Sequence, residues 1–125
     1  MTRTEIMNMT PGAELDRAVA EKVMGWEAQY IQNRDETGQY VYVTKGIGWV
    51  TVDDWQPSQN IAHAKEVEMV MINRGWYVNI VKTPPPHYRT ACVFYLYYPE
   101  YVCFDATCDT ECEAISKTAM IAVEV

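Results

Sequence analysis

Six consecutive residues, Val93-Phe94-Tyr95-Leu96-Tyr97-Tyr98, constrain this chain more than any other stretch. Their β-branched and aromatic character predicts a strand, and alternate side chains of a strand point to opposite faces. Phe94, Leu96 and Tyr98 then share one face, and Val93, Tyr95 and Tyr97 share the other. Both faces are apolar or amphipathic. A sheet built on this strand needs cover on both sides, from helices or another subunit, or it leaves one aromatic face wet.

Helices are available for that role. Leu15, Ala18, Val19, Val23 and Trp26 recur at helical spacing, with Thr10 as the expected cap, Pro11 in the first turn and Gly25 near the end. Arg17, Ala20 and Glu21 lie off that stripe. Ile61, Ala64, Val67, Val70 and Met71 mark a second helix, capped by Ser58 and closed by Gly75. A third spans residues 110–123, with Ile115, Ala119 and Ala122 inward and Glu113, Ser116 and Lys117 on other faces.

Further strands fall between them. Residues 40–44 and 49–52 read as a hairpin around Lys45-Gly46-Ile47-Gly48, after a turn at residues 33–38. Residues 76–81 form a strand that stops at Pro84-Pro85-Pro86, because proline cannot donate to a ladder. Residues 91–98 and 101–105 pair across Pro99-Glu100. The order predicts an α+β fold with three helices and a mainly antiparallel sheet. Residues 1–9 read as a flexible N-terminus and residues 10–125 as a single domain.

The first helix, with the Met9-Thr10-Pro11-Gly12 before it, carries a resemblance. Its residues 14–26, ELDRAVAEKVMGW, resemble the opening of the phage ABA-sandwich domain of small phage and prophage proteins. Residues 57–67 are similar to the second helix of that domain, and Gly75-Trp76-Tyr77-Val78 to its next strand. The resemblance covers residues 9–26 and 55–81, and more weakly 90–125. Residues 27–54 read as an insert outside that pattern. The resemblance implies helices on both faces of the sheet, a three-layer α/β/α sandwich, and an accessory protein that interferes with host systems.

Charge narrows the partners. Ten basic and seventeen acidic residues give a net charge of −7, which opposes a general nucleic-acid binder. No apolar run approaches the ~20 residues of a membrane span, and the first residues lack the apolar core of a signal peptide. The expected location is the bacterial host cytosol, where Cys92, Cys103, Cys108 and Cys112 stay as thiols. Their spacing lacks the short paired intervals of a zinc site, so no metal and no cofactor is expected. Cys92 and Cys103 read as sharing a face, with Leu96 opposite Cys103, a register that opposes a disulfide. Cys108 lies between Asp105 and Asp109, which should raise its pKa.

Chemistry-bearing residues are few. His63 lies beside an apolar stripe and reads as a satisfied helix histidine. Asp105, Asp109, Glu111 and Glu113 surround the start of the last helix, where the helix dipole favours carboxylates. No P-loop, GxGxxG, GxSxG or HExxH motif is present, so a binding protein is favoured over an enzyme. Lys82, His87, Tyr88 and Arg89 form a basic island in an acidic chain, and Arg89 offers bidentate bonds to a phosphate or carboxylate. With Tyr95 and Tyr97 as stacking rings, these are the candidate ligand-binding residues.

Two functions fit. One is a homo-oligomeric sponge that sequesters a nucleotide-like host defence signal. The alternative is an acidic protein-interaction module that docks on a host or phage protein. The sponge needs Lys82, His87 and Arg89 in one pocket. The docking module needs them dispersed and an aromatic patch exposed.

Overall fold

The computed structural model describes residues 1–44 and 48–124. Strands pair with their chain neighbours, as short connections favour, and build two sheets where the sequence suggests one. β1 (Ala28–Gln32), β2 (Gly38–Thr44) and β3 (Gly48–Thr51) form an antiparallel sheet in that order. β4 (Tyr77–Lys82), β5 (Thr90–Leu96) and β6 (Val102–Cys108) form the other. The hairpin expected at residues 40–52 is β2–β3, pairing Tyr42 with Val50. Lys45, Gly46 and Ile47, which the sequence places in its connection, lie outside the described residues. β1 escapes the sequence pattern because Ala28, Gln29 and Gln32 break any apolar alternation. The turn expected before β2 is closed by the Asn33 N–H donating to the Thr37 carbonyl at 2.6 Å.

α2 (Ala13–Ala18) runs on into a π-helical turn at Val19–Val23, where the Met24 N–H donates to the Val19 carbonyl at 3.0 Å. The wider turn shifts the inward face. Ala20, expected off the stripe, is therefore fully buried beside Leu15, Val19 and Val23. Gly25 ends the helix in the left-handed conformation, at φ 72°.

The caps differ from expectation. Gly12, not Thr10, stands at the N-cap of α2 and makes no side-chain cap bond. Ser58 holds this end instead. Its hydroxyl accepts the Gly12 N–H at 3.0 Å, and its own N–H donates to Asp16 Oδ1 at 2.8 Å. The cap of α3 (Ile61–Asn73) is Asn60, whose side-chain oxygen accepts from the Ala62 and His63 N–H groups. Ser58 was free for the long-range role because Asn60 sits two residues closer to the helix. α3 buries Ala64, Val67 and Met71, while Ile61 remains exposed. Past its end, the Trp76 N–H donates to the Met71 carbonyl at 3.1 Å around Gly75.

α4 (Glu111–Glu124) packs against β5, β6, α3, the π turn and the N-terminal helix α1 (Arg3–Asn8). Every residue from Cys112 to Ile121 is buried. Glu113, Ser116 and Lys117, which the periodicity sets on outer faces, are inside. Neighbours on every side explain this; Glu113, Lys117 and Thr118 enter with partners, whereas the Ser116 hydroxyl has none among the described residues. Lys117 Nζ lies 3.5 Å from Glu113 and donates to the Met7 carbonyl at 2.9 Å. The Thr118 hydroxyl donates to the Ala114 carbonyl at 2.6 Å.

Residues 1–9, which the sequence reads as a flexible start, contain a helix. α1 (Arg3–Asn8) lies on α4, capped by the Thr2 hydroxyl accepting the Glu5 N–H at 3.1 Å, and Ile6 is fully buried. A single inward side chain in so short a helix leaves no periodic signal.

α3 and α4 cover one face of the β4–β6 sheet, where Cys92, Phe94 and Ala106 are fully buried. The β1–β3 sheet joins the same core through Tyr42 and Val50. There Trp26 packs on Tyr42 at 5.8 Å and on Trp55 at 4.7 Å. The result is the expected α+β class, antiparallel and sandwich-like.

Candidate interaction face and basic loop

Alternation along β5 sends Cys92 and Phe94 toward the helices and Val93 and Tyr95 outward. The register then sets Tyr77 of β4 and Cys103 of β6 on either side of Tyr95. Tyr97, just past β5, and Tyr101, just before β6, extend this row. Tyr77 stacks on Tyr95 at 5.4 Å and 15°, and Tyr97 meets both edge-on at 5.1 and 5.5 Å. Tyr101 lies 5.9 Å from Tyr97. Hydrogen bonding to the Cys103 side chain holds the Tyr101 phenol pKa above its ordinary value.

These rings are ordered against one another yet open to solvent. Tyr77, Tyr97 and Tyr101 are 54%, 62% and 64% exposed. Asn79 and Val81 continue the same face along β4. Asp105 is its charged member and lies 3.8 Å from Arg3. The second cover that an aromatic face calls for is absent among the described residues. Tyr98, expected beside Phe94 and Leu96, lies beyond β5 and is 87% exposed.

The basic island sits at the other end of β5. The loop from Thr83 to Arg89 is pinned at its base, where the Thr83 N–H donates to the Arg89 carbonyl and the Arg89 N–H to the Thr83 hydroxyl, both at 2.8 Å. Lys82, Tyr88 and Arg89 line a shallow cavity of about 320 Å³, which Asp109 and Glu111 also line. Lys82 Nζ lies 3.4 Å from Glu111, and Lys65 bonds the same carboxylate at 2.8 Å. Lys65, first, and Lys82 hold the Glu111 carboxyl below its ordinary pKa. One Arg89 guanidinium N–H donates to the Thr107 carbonyl at 3.0 Å. His87 does not line the cavity; its N–H donates to the Pro84 carbonyl at 3.3 Å. The Lys82 charge is thus shared with an acidic neighbour, while Arg89 is spent in part on a backbone carbonyl. Tyr95 lies six residues along from Arg89, roughly 20 Å at strand spacing. The six candidate residues therefore fall into two places, Lys82, Tyr88 and Arg89 in one and Tyr95 and Tyr97 in the other, with His87 outside both.

Sequence reasoning missed Tyr77 and Tyr101 as members of the tyrosine row. Tyr77 alternates with Asn79 and Val81, which is visible in the chain, but its place beside Tyr95 depends on cross-strand register.

The thiols occupy distinct settings. Cys92 is buried and Cys103 exposed, so they lie on opposite faces, because the register pairs Tyr95 rather than Leu96 with Cys103. Neither forms a disulfide. Burial pushes the Cys92 thiol up to about 12, and burial, then Glu113, pushes Cys108 up to about 11. The cause at Cys108 is thus burial first, not Asp105 and Asp109. His63 Nδ1 accepts the Gln56 N–H at 3.0 Å, and its ring stacks on Trp55 at 5.1 Å. Among the described residues, no three His, Cys, Asp or Glu side chains converge as a metal site. No helix among them is long and apolar enough to cross a membrane.

A family model described as the Phage ABA sandwich domain matches residues 17–123, a span that includes the segment at 27–54. No curated protein and no solved structure matches the chain.

Proposed function

The chain belongs to the phage ABA sandwich domain family, and on that premise we propose that this small phage protein is a non-enzymatic binding module. It docks another protein on the outer face of the β4–β6 sheet and acts in the host cytosol. The observation that carries this reading is the row Tyr77, Tyr95, Tyr97 and Tyr101, linked by ring contacts, with Tyr77, Tyr97 and Tyr101 largely exposed. Tyrosine suits such a role: it offers a large rigid surface and a polar tip at low entropic cost. The partner has an apolar centre and a basic rim, because each copy of this chain carries a net charge of −7 and repels another. The test replaces Tyr97 with a photo-crosslinking phenylalanine analogue in infected cells. A cross-link to one basic protein supports docking. A cross-link only to a second copy would identify the face as a homo-oligomer interface instead.

The sponge is a second reading, supported by Lys82, Tyr88 and Arg89 lining one cavity. Its weight is reduced by Glu111 and Asp109 in the same cavity, which compete with any phosphate. Calorimetric titration with cyclic dinucleotides decides it: heat of binding that Arg89→Ala removes supports the sponge, and no heat removes it.

A further inference from the structure

A second concavity lies between α2, β2 and the segment from Val52 to Gln59. It encloses about 260 Å³ and is lined chiefly by Asp16, Arg17, Tyr42, Asp53, Trp55 and Gln56. Arg17, Val52 and Asp53 also border a wider, open cleft of about 790 Å³, so the two volumes share one wall.

Three features distinguish this place from a packing gap. Trp55 is 2% exposed and lines the cavity, yet its Nε1–H has no acceptor among the described residues. Buried indole donors are ordinarily paired. Arg17 has no ion-pair partner among the described residues, in a protein rich in carboxylates. Its charge acts instead on the Tyr42 hydroxyl, whose pKa burial raises and Arg17 draws back. Asp16 is 3% exposed, and its carboxyl is held above its ordinary pKa by burial, against the opposing Ser58 bonds. A cation brought into the cavity offsets that cost by favouring the charged carboxylate.

The polar groups therefore call for both signs. An anionic group is wanted at Arg17, and a cationic donor near Asp53 and Asp16. Tyr42 and Trp55 supply flat walls for an apolar body. The volume lies just below the ~300–1,000 Å³ of drug-sized sites, which suits an amino acid better than a nucleotide. We propose that this cavity is a binding site for a small zwitterion of amino-acid size, its carboxylate on Arg17 and its ammonium facing Asp53. The site is separate from the tyrosine face, so either can fail without the other.

The test follows the tryptophan indole N–H signals by NMR while free L-amino acids are titrated one at a time to millimolar concentration. Trp55→Phe assigns the Trp55 signal. The expected result is a saturable shift of that signal with at least one amino acid. The corresponding amide, lacking the carboxylate, and the N-acetyl derivative, lacking the ammonium, bind about ten-fold or more weakly. Arg17→Leu and Asp53→Asn each weaken the response while the remaining spectrum stays folded, since both side chains are exposed. No shift with any amino acid overturns the proposal, as does equal binding by both derivatives or by both variants.

Discussion

At the scale of single residues, the molecule is governed by what each buried polar group is given as a partner. Asp16 is the clearest case. Its carboxyl pins Ser58, and Ser58 pins Gly12, so one acid ties the start of α2 to the loop before α3. Asp16→Ala leaves the buried Ser58 N–H unpaired and should cost about 1–3 kcal/mol in urea unfolding. Asp16→Asn keeps an acceptor there and should cost less; equal losses for the two would contradict the assigned bond. The thiols give a second prediction. In the native protein at neutral pH, iodoacetamide should modify Cys103 alone, because Cys92, Cys108 and Cys112 are buried and their thiolates disfavoured. The sign for stability follows. Cys92 titrates at about 12 against an ordinary 9.0, so its neutral thiol contributes fully below the ordinary value and loses that contribution as pH rises toward 12. Peptide mapping that finds Cys92 labelled as fast as Cys103 would refute this.

At the scale of elements, α1 and α4 depend on each other. Ile6 is α1's one fully buried side chain, and the Met7 carbonyl takes a bond from Lys117 of α4. Ile6→Ala should destabilise the whole domain by about 2–5 kcal/mol. A loss near zero would support the reading of residues 1–9 as a loose tail. The legibility of these elements tracks their environments. α3 was readable because a buried stripe imposes one period on it, visible in Ala64, Val67 and Met71, and β5 because its run of β-branched and aromatic residues favours a strand. α4 was readable as a helix but not as a buried one. Burial of Glu113 and Lys117 rests on their mutual pairing and on a carbonyl far along the chain. β1 carries no apolar pattern, and its strand state comes from pairing with β2. The π turn moved Ala20 inward, and no spacing rule for an ordinary helix anticipates that. The tyrosine face was half legible. Tyr95 and Tyr97 follow from alternation, whereas Tyr77 and Tyr101 needed the register.

At the scale of the whole molecule, the decisive asymmetry is in the β4–β6 sheet. One face is sealed by α3 and α4, and the other presents ordered tyrosines to solvent. Exposed aromatic patches on monomeric proteins commonly mark interaction sites, and tyrosines near the centre of an interface carry much of its binding energy. The basic loop at the far end of β5 has its Lys82 charge answered by Glu111, whereas the tyrosine face has no cover among the described residues. The most direct test of that account is native mass spectrometry of the tagged protein recovered from infected host cells, run beside Tyr97→Asp/Tyr101→Asp. Both side chains are largely exposed, so the double variant should fold. The account predicts that the unaltered chain is recovered with one basic polypeptide, and the double variant alone, with affinity reduced by about 2 kcal/mol or more. Recovery of the same partner in the same yield by the double variant would contradict it, as would recovery of the unaltered chain only as a multimer of itself.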